Sequence, residues 1–458
     1  MDFLTADDPR PIHFMGVGGA GMSALALLAL RRGVTVTGCD TDLAGTVDVA
    51  AAGGRVDPGH DAAHVEGARA VVVTAAVKPD HPELAAARRL GIPVIPRKDA
   101  LAALVNGRTV VAAAGTHGKT TTTVMATEAL AGAGLAPTGL AGGRVGLWGG
   151  NARLDGDTLF VVEADEYDKA FLTLEPTVAI VNNVEADHLE CYGSVANLEA
   201  AFAEFAGRAE TTLVGVDDAG ARRLASRLDN VRVWRFGFAD DADLRLSGFD
   251  GDAEGSRALL ALPDGREVAL RLRVPGRHNM LNATGALGAV VALGGSVERA
   301  LDALEQFTGV GRRFERLGQA GGVAIVDDYA HHPSELVATL AAARQAYPGR
   351  RLVAVFQPHL YSRTAQHGAA MGEALAAADI VLVTDVYAAR ESPMAGISGK
   401  LVADAAARGR SPVHFVAERA DVTARVATLL EPGDVVLTLG AGDITRVGPE
   451  LLQRLAAR

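Results

Sequence analysis

Short, wholly apolar runs recur along the chain, and most are followed by glycine or by a cluster of acidic and polar residues. Runs of this length without alternation predict strands buried on both faces, the pattern of parallel sheets covered by helices. In the first block they predict strands at 12–15, 34–37, 70–74 and 94–95, with helices over 22–32 and 83–90. In the second, a strand starting at Val110 gives way to a glycine turn and a helix. Further strands are predicted there at 159–162 and 178–181, and helices at 279–293 and 297–307. Residues 243–274 instead alternate between glycine turns and predict a small antiparallel insertion. The third block predicts strands at 323–326, 352–356, 380–383 and 435–439, with a helix over 334–346. The expected fold is α/β in three domains: an N-terminal Rossmann-like parallel sheet (1–105), a central P-loop ATPase-type domain carrying the β insertion (106–312), and a C-terminal Rossmann-like α/β domain (313–458).

Composition supports that layering. Hydrophobic residues make up 49% of the 458 positions but aromatics only 5%, so small side chains must fill the helix-to-strand contacts. The net charge of −11, from 44 basic and 55 acidic residues with no basic run, disfavours a nucleic-acid partner. No stretch approaches the roughly 18 apolar residues of a membrane span, and the acidic opening Met1-Asp2-Phe3-Leu4-Thr5-Ala6-Asp7-Asp8 lacks a signal-peptide core. A soluble, cytoplasmic protein is expected, monomeric or homodimeric. Cys39 and Cys191 are too few for a disulfide framework and read as bystanders.

The most telling motif is Gly115-Thr116-His117-Gly118-Lys119-Thr120-Thr121, placed between strand and helix. Backbone N–H groups and the helix N-terminus there can cradle nucleotide phosphates, Lys119 can neutralise their charge, and the Thr120 hydroxyl can ligate Mg²⁺. Ala113 stands where the usual pattern has its first glycine, so the loop is a variant. Earlier, Gly16-Val17-Gly18-Gly19-Ala20-Gly21 with Asp40 some twenty residues on forms a complete G-x-G-x-x-G. By itself it reads as a dinucleotide site, or as glycines that only allow close helix packing. Polar clusters after the later strands sit where ligands gather in such sheets: Glu163-Ala164-Asp165-Glu166, Asn182 to His188, Asp327 to Pro333, Gln357 to Arg363, Asp385 to Glu391 and Gly440 to Asp443.

Taken in order, GVGGAGMS (16–23), GTHGKTTTT (115–123), EADEYD (163–168), ADHLECYG (186–193), GRHNMLNATGA (276–286), GRRFE (311–315), DDYAHHPSE (327–335), FQPHLYSRT (356–364), DVYAARE (385–391) and GAGDI (440–444) resemble the Mur ligases of bacterial cell-wall precursor synthesis over nearly the whole chain. The resemblance implies an ATP-dependent amide ligase using ATP and Mg²⁺, with UDP-N-acetylmuramate and L-alanine as substrates. It assigns the first glycine loop to the UDP-sugar diphosphate, through Gly16, Gly18, Gly19 and Gly21, adds Asp40 to that substrate site, and places His60 and Thr74 near the uridine nucleotide. ATP falls to Gly115, Thr116, His117, Gly118, Lys119, Thr120, Thr121, His278, Asn279, Asn282, Arg313 and Asp328. One Mg²⁺ falls to Thr120 and Glu163 and a second to His188, and the substrate carboxylate and alanine to Tyr329, His331 and Arg363. Lys119, His188, Arg313, His331 and Arg363 would then carry the catalysis. Duller readings stand beside these: His188 as a turn cap, Asp327-Asp328 as a helix N-terminal device, His332 and His359 as scaffold, Tyr167 as a packing change. Rival functions are a recycling ligase that adds a murein tripeptide, an NAD-dependent oxidoreductase on the first loop, and a nucleotide-binding sensor.

Overall fold

Three sheets organise the chain, one for each block of apolar runs. The computed structural model describes residues 6–389 and 391–457; the first five residues, Arg390 of the DVYAARE motif and Arg458 lie outside the described residues. The first sheet holds β1 (Ile12–Met15), β2 (Val36–Asp40), β3 (Arg55–Pro58), β4 (Ala70–Val73) and β5 (Val94–Pro96) in the order β3-β2-β1-β4-β5. All its pairings are parallel. The order reverses at β1, so the carboxyl end of β1 opens the crevice in which such sheets bind ligands. The helix Ala20–Arg31 starts there.

The central sheet has ten strands: β6 (Thr109–Ala114), β7 (Thr138–Val145), β8 (Gly150–Leu154), β9 (Leu159–Glu163), β10 (Val178–Val181), β11 (Thr211–Gly215), β12 (Arg232–Gly237), β13 (Leu244–Gly251), β14 (Ser256–Ala261) and β15 (Glu267–Leu272). Their order is β15-β14-β13-β12-β11-β10-β6-β9-β7-β8. β6 lies between β9 and β10, both parallel to it, and Val110 to Ala114 are fully buried, as a strand covered on both faces requires. The 243–274 excursion is not a separate sheet: β13 pairs in parallel with β12 and thereby continues the central one. Beneath the sheet, Phe171 stacks on Phe205 at 5.0 Å and meets Phe202 edge-on at 5.1 Å, a rare aromatic cluster in an Ala- and Val-rich core.

The third sheet runs β16-β17-β21-β18-β19-β20, from β16 (Glu315–Ala320), β17 (Val323–Asp328), β18 (Leu352–Phe356), β19 (Ile380–Thr384), β20 (Val413–Val416) and β21 (Val435–Leu439). Its two faces bury alternate residues. Ala324, Val326, Leu352, Ala354 and Phe356 enter one core, and Val323, Ile325, Val353 and Val355 the other, which is the period of two expected of a sheet between helix layers. Only β16 runs antiparallel, with a bulge between Arg316 and Gly318. By packing, the chain divides into two compact units: one holds residues up to Gly248 with Leu259–Leu270 and Leu281–Phe307, the other Phe249–Ala258, Arg271–Met280 and the chain from Thr308 onward.

Candidate active site

In the first unit, β6 ends at Ala114 and the helix Lys119–Gly132 begins five residues on. Gly115 and Gly118 cross that gap at φ +131° and +82°, values that disfavour any residue with a Cβ. At Gly118 a Cβ would also lie 2.6 Å from Asn282 Oδ1 and 2.9 Å from Asn182 Nδ2. The loop is braced from the end of β10. Asn183 Oδ1 accepts the His117 N–H at 2.8 Å, and Asn182 Nδ2 donates to Thr122 Oγ1 at 2.9 Å. Thr116 Oγ1 accepts the Glu185 N–H at 2.9 Å.

Lys119 Nζ donates to Glu166 at 2.7 and 3.0 Å and to the Gly115 carbonyl at 2.9 Å. Burial works against its charge, but Glu166, Asp165 and Glu163 outweigh it and hold the ammonium above its ordinary pKa. At the end of β9, burial pushes the Glu163 carboxyl up, opposed by hydrogen bonds from the Gly142 N–H and the Thr120 hydroxyl. Thr120 and Glu163 therefore face one another at the mouth of the loop. His188 sits at φ +52° at the N-cap of a short helix, Leu189–Tyr192, but its side chain makes no cap hydrogen bond. Its ring nitrogens lie 3.3 Å from Glu190 and 3.7 Å from Asp187, and Tyr167 packs edge-on against it at 5.1 Å.

The first glycine loop and Glu163 open onto one cleft of about 350 Å³, lined among others by Gly16, Gly19, Gly21, Thr74, Arg97, Gly142, Glu163 and Asp165. Arg97, first residue of the helix Arg97–Val105, stands 3.9 Å from Asp165. Gly18 and Asp40 shape the loop instead: Asp40 accepts the N–H groups of Gly18 and Asp42, each at 2.9 Å. Thr74 Oγ1 accepts the Ala76 N–H at 3.3 Å. His60 points its Nδ1 at Cys39 and Glu83 (3.3 and 3.4 Å).

In the second unit a second cluster gathers around the turn Arg312–Phe314. Arg312 and Phe314 take φ +59° and +48°, and the paired aspartates at the end of β17 pin this strained turn. Asp327 accepts from Arg312 Nε at 3.2 Å and from the Thr438 and Thr445 hydroxyls at 2.5 and 2.8 Å. Asp328 accepts the N–H groups of Phe314 and Ala330 at 2.7 and 2.8 Å. The helix Pro333–Ala346 is capped by His332, in a capping box with Glu335, so the aspartates do not serve as its N-terminal device and His332 does act as scaffold. Arg313 lies 3.7 Å from Glu335 and 5.0 Å from the Tyr329 ring centre. His331 Nδ1 lies 2.9 Å from the Tyr329 carbonyl. Burial lowers His278 to about 4, with Glu335 and Arg313 close enough to act on it, so its ring is neutral at pH 7. Asn279 Nδ2 donates to the Pro275 carbonyl at 2.8 Å, and Arg363 is buried in the first turn of the helix Tyr361–Leu375.

Burial raises Asp328 to about 6, against the pull of Arg313 and the two N–H groups. Because the folded carboxyl binds its proton more tightly than the unfolded one, it contributes stability below about pH 4 that is lost as pH rises through 6, about 3 kcal/mol in all. A carbon-13 carboxyl titration should show an Asp328 midpoint near 6 that rises in Arg313→Ala; an ordinary midpoint near that of a free aspartate would refute this electrostatic account.

Consecutive segments match the family models for the Mur ligase catalytic domain (11–109), the Mur ligase middle domain (113–290) and the Mur ligase glutamate ligase domain (312–442). The chain is 46% identical to UDP-N-acetylmuramate–L-alanine ligase of Mycolicibacterium vanbaalenii, covering 98% of this chain and 96% of the relative. It is 43% identical to the protein of that name from Thermobifida fusca, covering 97% and 96%. The chain belongs to the Mur ligase family. Among solved structures, this Mur ligase is similar to UDP-N-acetylmuramate–alanine ligase of Thermotoga maritima, with TM-score 0.84, 29% identity and 98% and 99% of the two chains covered. A murein peptide ligase of Psychrobacter arcticus gives TM-score 0.75 at 25% identity, again over 98% and 99%.

Three features of this Mur ligase had no role in the sequence reading. Arg97 follows β5 as the other polar clusters follow their strands, and that position was its one available signal. Glu166 lies within a recognised motif, but its pairing with Lys119 depends on a fold-back across 47 residues. Asn182 and Asn183 were visible as a polar strand end, yet only the structure shows them bracing the phosphate loop.

Proposed function

We propose that this Mur ligase joins L-alanine to the carboxylate of UDP-N-acetylmuramate at the expense of ATP, releasing ADP and phosphate. The observation that carries the reading is 43–46% identity to ligases of that name over 97–98% of the chain. In this reading residues 1–105 hold the UDP-sugar, 106–312 the ATP phosphates, and 313–458 the amino acid and the far side of the nucleotide. The protein works in the cytoplasm, as monomer or homodimer. Among the described residues no helix is long and apolar enough to cross a membrane.

A carboxylate is a poor electrophile. The muramyl carboxylate attacks the ATP γ-phosphorus and ADP leaves, and the alanine amine then attacks the acyl phosphate carbon and phosphate departs from the tetrahedral intermediate. Negative charge concentrates at one place in both steps, so positioning and electrostatics supply most of the rate. Lys119, already fully charged, meets the γ-phosphate as Glu166 is displaced. Gly115 to Thr121 offer N–H groups to the phosphates, His278, Asn279 and Asn282 hold adenine and ribose, and Arg313 and Asp328 close on the nucleotide. Tyr329, His331 and Arg363 orient the carboxylate and the alanine. The facing oxygens of Thr120 and Glu163, the latter half-buried, suit a hard divalent cation, and His188 would hold a second. Bound there, Mg²⁺ would supply charge neutralisation at the transferring phosphoryl group. Gly16, Gly18, Gly19 and Gly21 hold the UDP diphosphate at the helix start, with Asp40, His60 and Thr74 around it, and Arg97 reaches into the same cleft.

Phosphate release tests the reading, with ATP, Mg²⁺, UDP-N-acetylmuramate and L-alanine omitted one at a time, then with the murein tripeptide replacing alanine. Release is expected only when all four are present; release with the tripeptide alone would move the assignment to recycling, and none with either would favour a sensor. Arg97→Ala should raise KM for the UDP-sugar about 10- to 100-fold, the worth of a charge-assisted hydrogen bond, and leave KM for ATP unchanged. An unchanged UDP-sugar KM would remove Arg97 from the site.

A further inference from the structure

The first domain carries a second polar cluster, of which only His60 also borders the proposed UDP-sugar site. Glu83, in the helix Pro82–Arg89, is wholly buried. Cys39 Sγ lies 3.3 and 3.4 Å from its two oxygens. His60 Nδ1 lies 3.3 Å from Cys39 Sγ and 3.4 Å from Glu83 Oε1, and His64 Nδ1 is 3.1 Å from the same oxygen. From β1, His13 brings a ring nitrogen within 4.8 Å of both the Cys39 sulfur and a Glu83 oxygen. His13 is itself fully buried, with Nδ1 bonded to Thr37 at 3.0 Å and Nε2 without a hydrogen-bond partner among the described residues. A buried ring nitrogen left unpaired costs free energy unless something else takes its lone pair or proton.

The spacing has a specific meaning. Around a tetrahedral Zn²⁺, with Zn–S near 2.3 Å and Zn–N and Zn–O near 2.0–2.1 Å, neighbouring donor atoms stand about 3.3 to 3.6 Å apart. The triangle of Cys39 Sγ, His60 Nδ1 and a Glu83 oxygen has edges of 3.3, 3.3 and 3.4 Å, so three ligand positions already stand at tetrahedral separation. Sulfur, imidazole and carboxylate together select a borderline transition cation over Mg²⁺, which takes hard oxygens.

We propose that Cys39, Glu83 and His60, with His13 as fourth ligand, form a binding site for Zn²⁺ or a similar divalent transition metal, separate from the phosphate loop. On binding, the Cys39 thiol gives its proton to solvent as the metal–sulfur bond forms. The ion ties β1 and the end of β2 to the loop after β3 and to the helix Pro82–Arg89. Burial lowers His13 to about 4, which keeps its ring neutral and fit to ligate; burial beside Glu83 raises the thiol, so affinity falls as pH falls.

Co²⁺ titration of the full-length enzyme in millimolar Mg²⁺ tests the site. One equivalent should give a thiolate-to-cobalt band with the intense visible bands of tetrahedral Co²⁺, bleached by one equivalent of Zn²⁺, lost in Cys39→Ser and kept in Cys191→Ser. No such bands, or bands that survive in Cys39→Ser, would mean that the cluster is a hydrogen-bonded network only and would overturn the proposal. Zinc K-edge absorption on the wild-type enzyme gives an answer independent of any variant: a zinc–sulfur shell near 2.3 Å supports the site, and a shell of nitrogen and oxygen alone rejects it.

Discussion

Lys119→Ala should lower kcat by at least about a thousandfold, the scale on which one charge-stabilising group at a reacting centre acts, while UDP-N-acetylmuramate still binds with near wild-type affinity. The two effects separate because Lys119 belongs to the loop after β6 and the UDP-sugar loop follows β1, on a different sheet. The structure adds a second consequence. Lys119 is the partner of Glu166, whose side chain is only 2% exposed, and burial already pushes that carboxyl up against the pull of the lysine. Removing one partner of a buried pair typically costs about 3–5 kcal/mol, so the variant should also melt earlier. Adding Glu166→Gln removes the stranded carboxylate and should recover much of the lost melting temperature and none of the activity. Isothermal titration with the UDP-sugar, calorimetric melting and phosphate release separate these terms. Equal loss of UDP-sugar binding and turnover would contradict the assignment of the two nucleotides to separate loops.

What the sequence showed, and what it hid, follows from the range of the interactions. Buried strands such as β6, β10, β18 and β21 were legible because both faces are covered and nearly every residue is apolar. The glycine loops were legible because positive φ at Gly16, Gly115 and Gly118 leaves few residue choices. β16 was not: Glu-Arg-Leu-Gly-Gln-Ala is a half-exposed antiparallel edge with a bulge, which has neither alternation nor an apolar run. β7, rich in glycine, and β3, where Val56 stands between Arg55 and Asp57, likewise carry no apolar run. Within the sites, residue types were readable but partners were not. Asp327-Asp328 could be read as a helix cap because Pro333 and Ser334 follow; that role fell to His332, and the aspartates hold a strained turn fourteen residues upstream. Cys39 looked like a bystander because its neighbours Glu83 and His60 lie 44 and 21 residues away.

Glu163→Gln carries the second large effect and should differ in kind from Lys119→Ala. Glu163 faces both loops: it accepts from Thr120 and lines the cleft that reaches the first glycine loop. If it holds Mg²⁺ where the muramyl carboxylate meets the γ-phosphate, losing its charge should cut kcat by about 100- to 1,000-fold and raise the Mg²⁺ concentration needed for half activity, without abolishing binding of either nucleotide. Its stability effect should run opposite to that of the lysine variant. Desolvation already works against the Glu163 charge, and glutamine can still accept the Gly142 N–H, so the metal-free variant should melt no earlier than wild type. Gly142→Ala offers a control that leaves every charge in place. A Cβ there would lie 2.6 Å from Glu163 Oε2, so the carboxylate must swing aside and the variant should reproduce the shifted Mg²⁺ dependence. If Gly142→Ala and Glu163→Gln both kept the wild-type Mg²⁺ requirement, Glu163 would be a structural acid of the loop and the cation would have to sit elsewhere. A shared shift would instead tie the metal to the oxygen that β7 and β9 position between them.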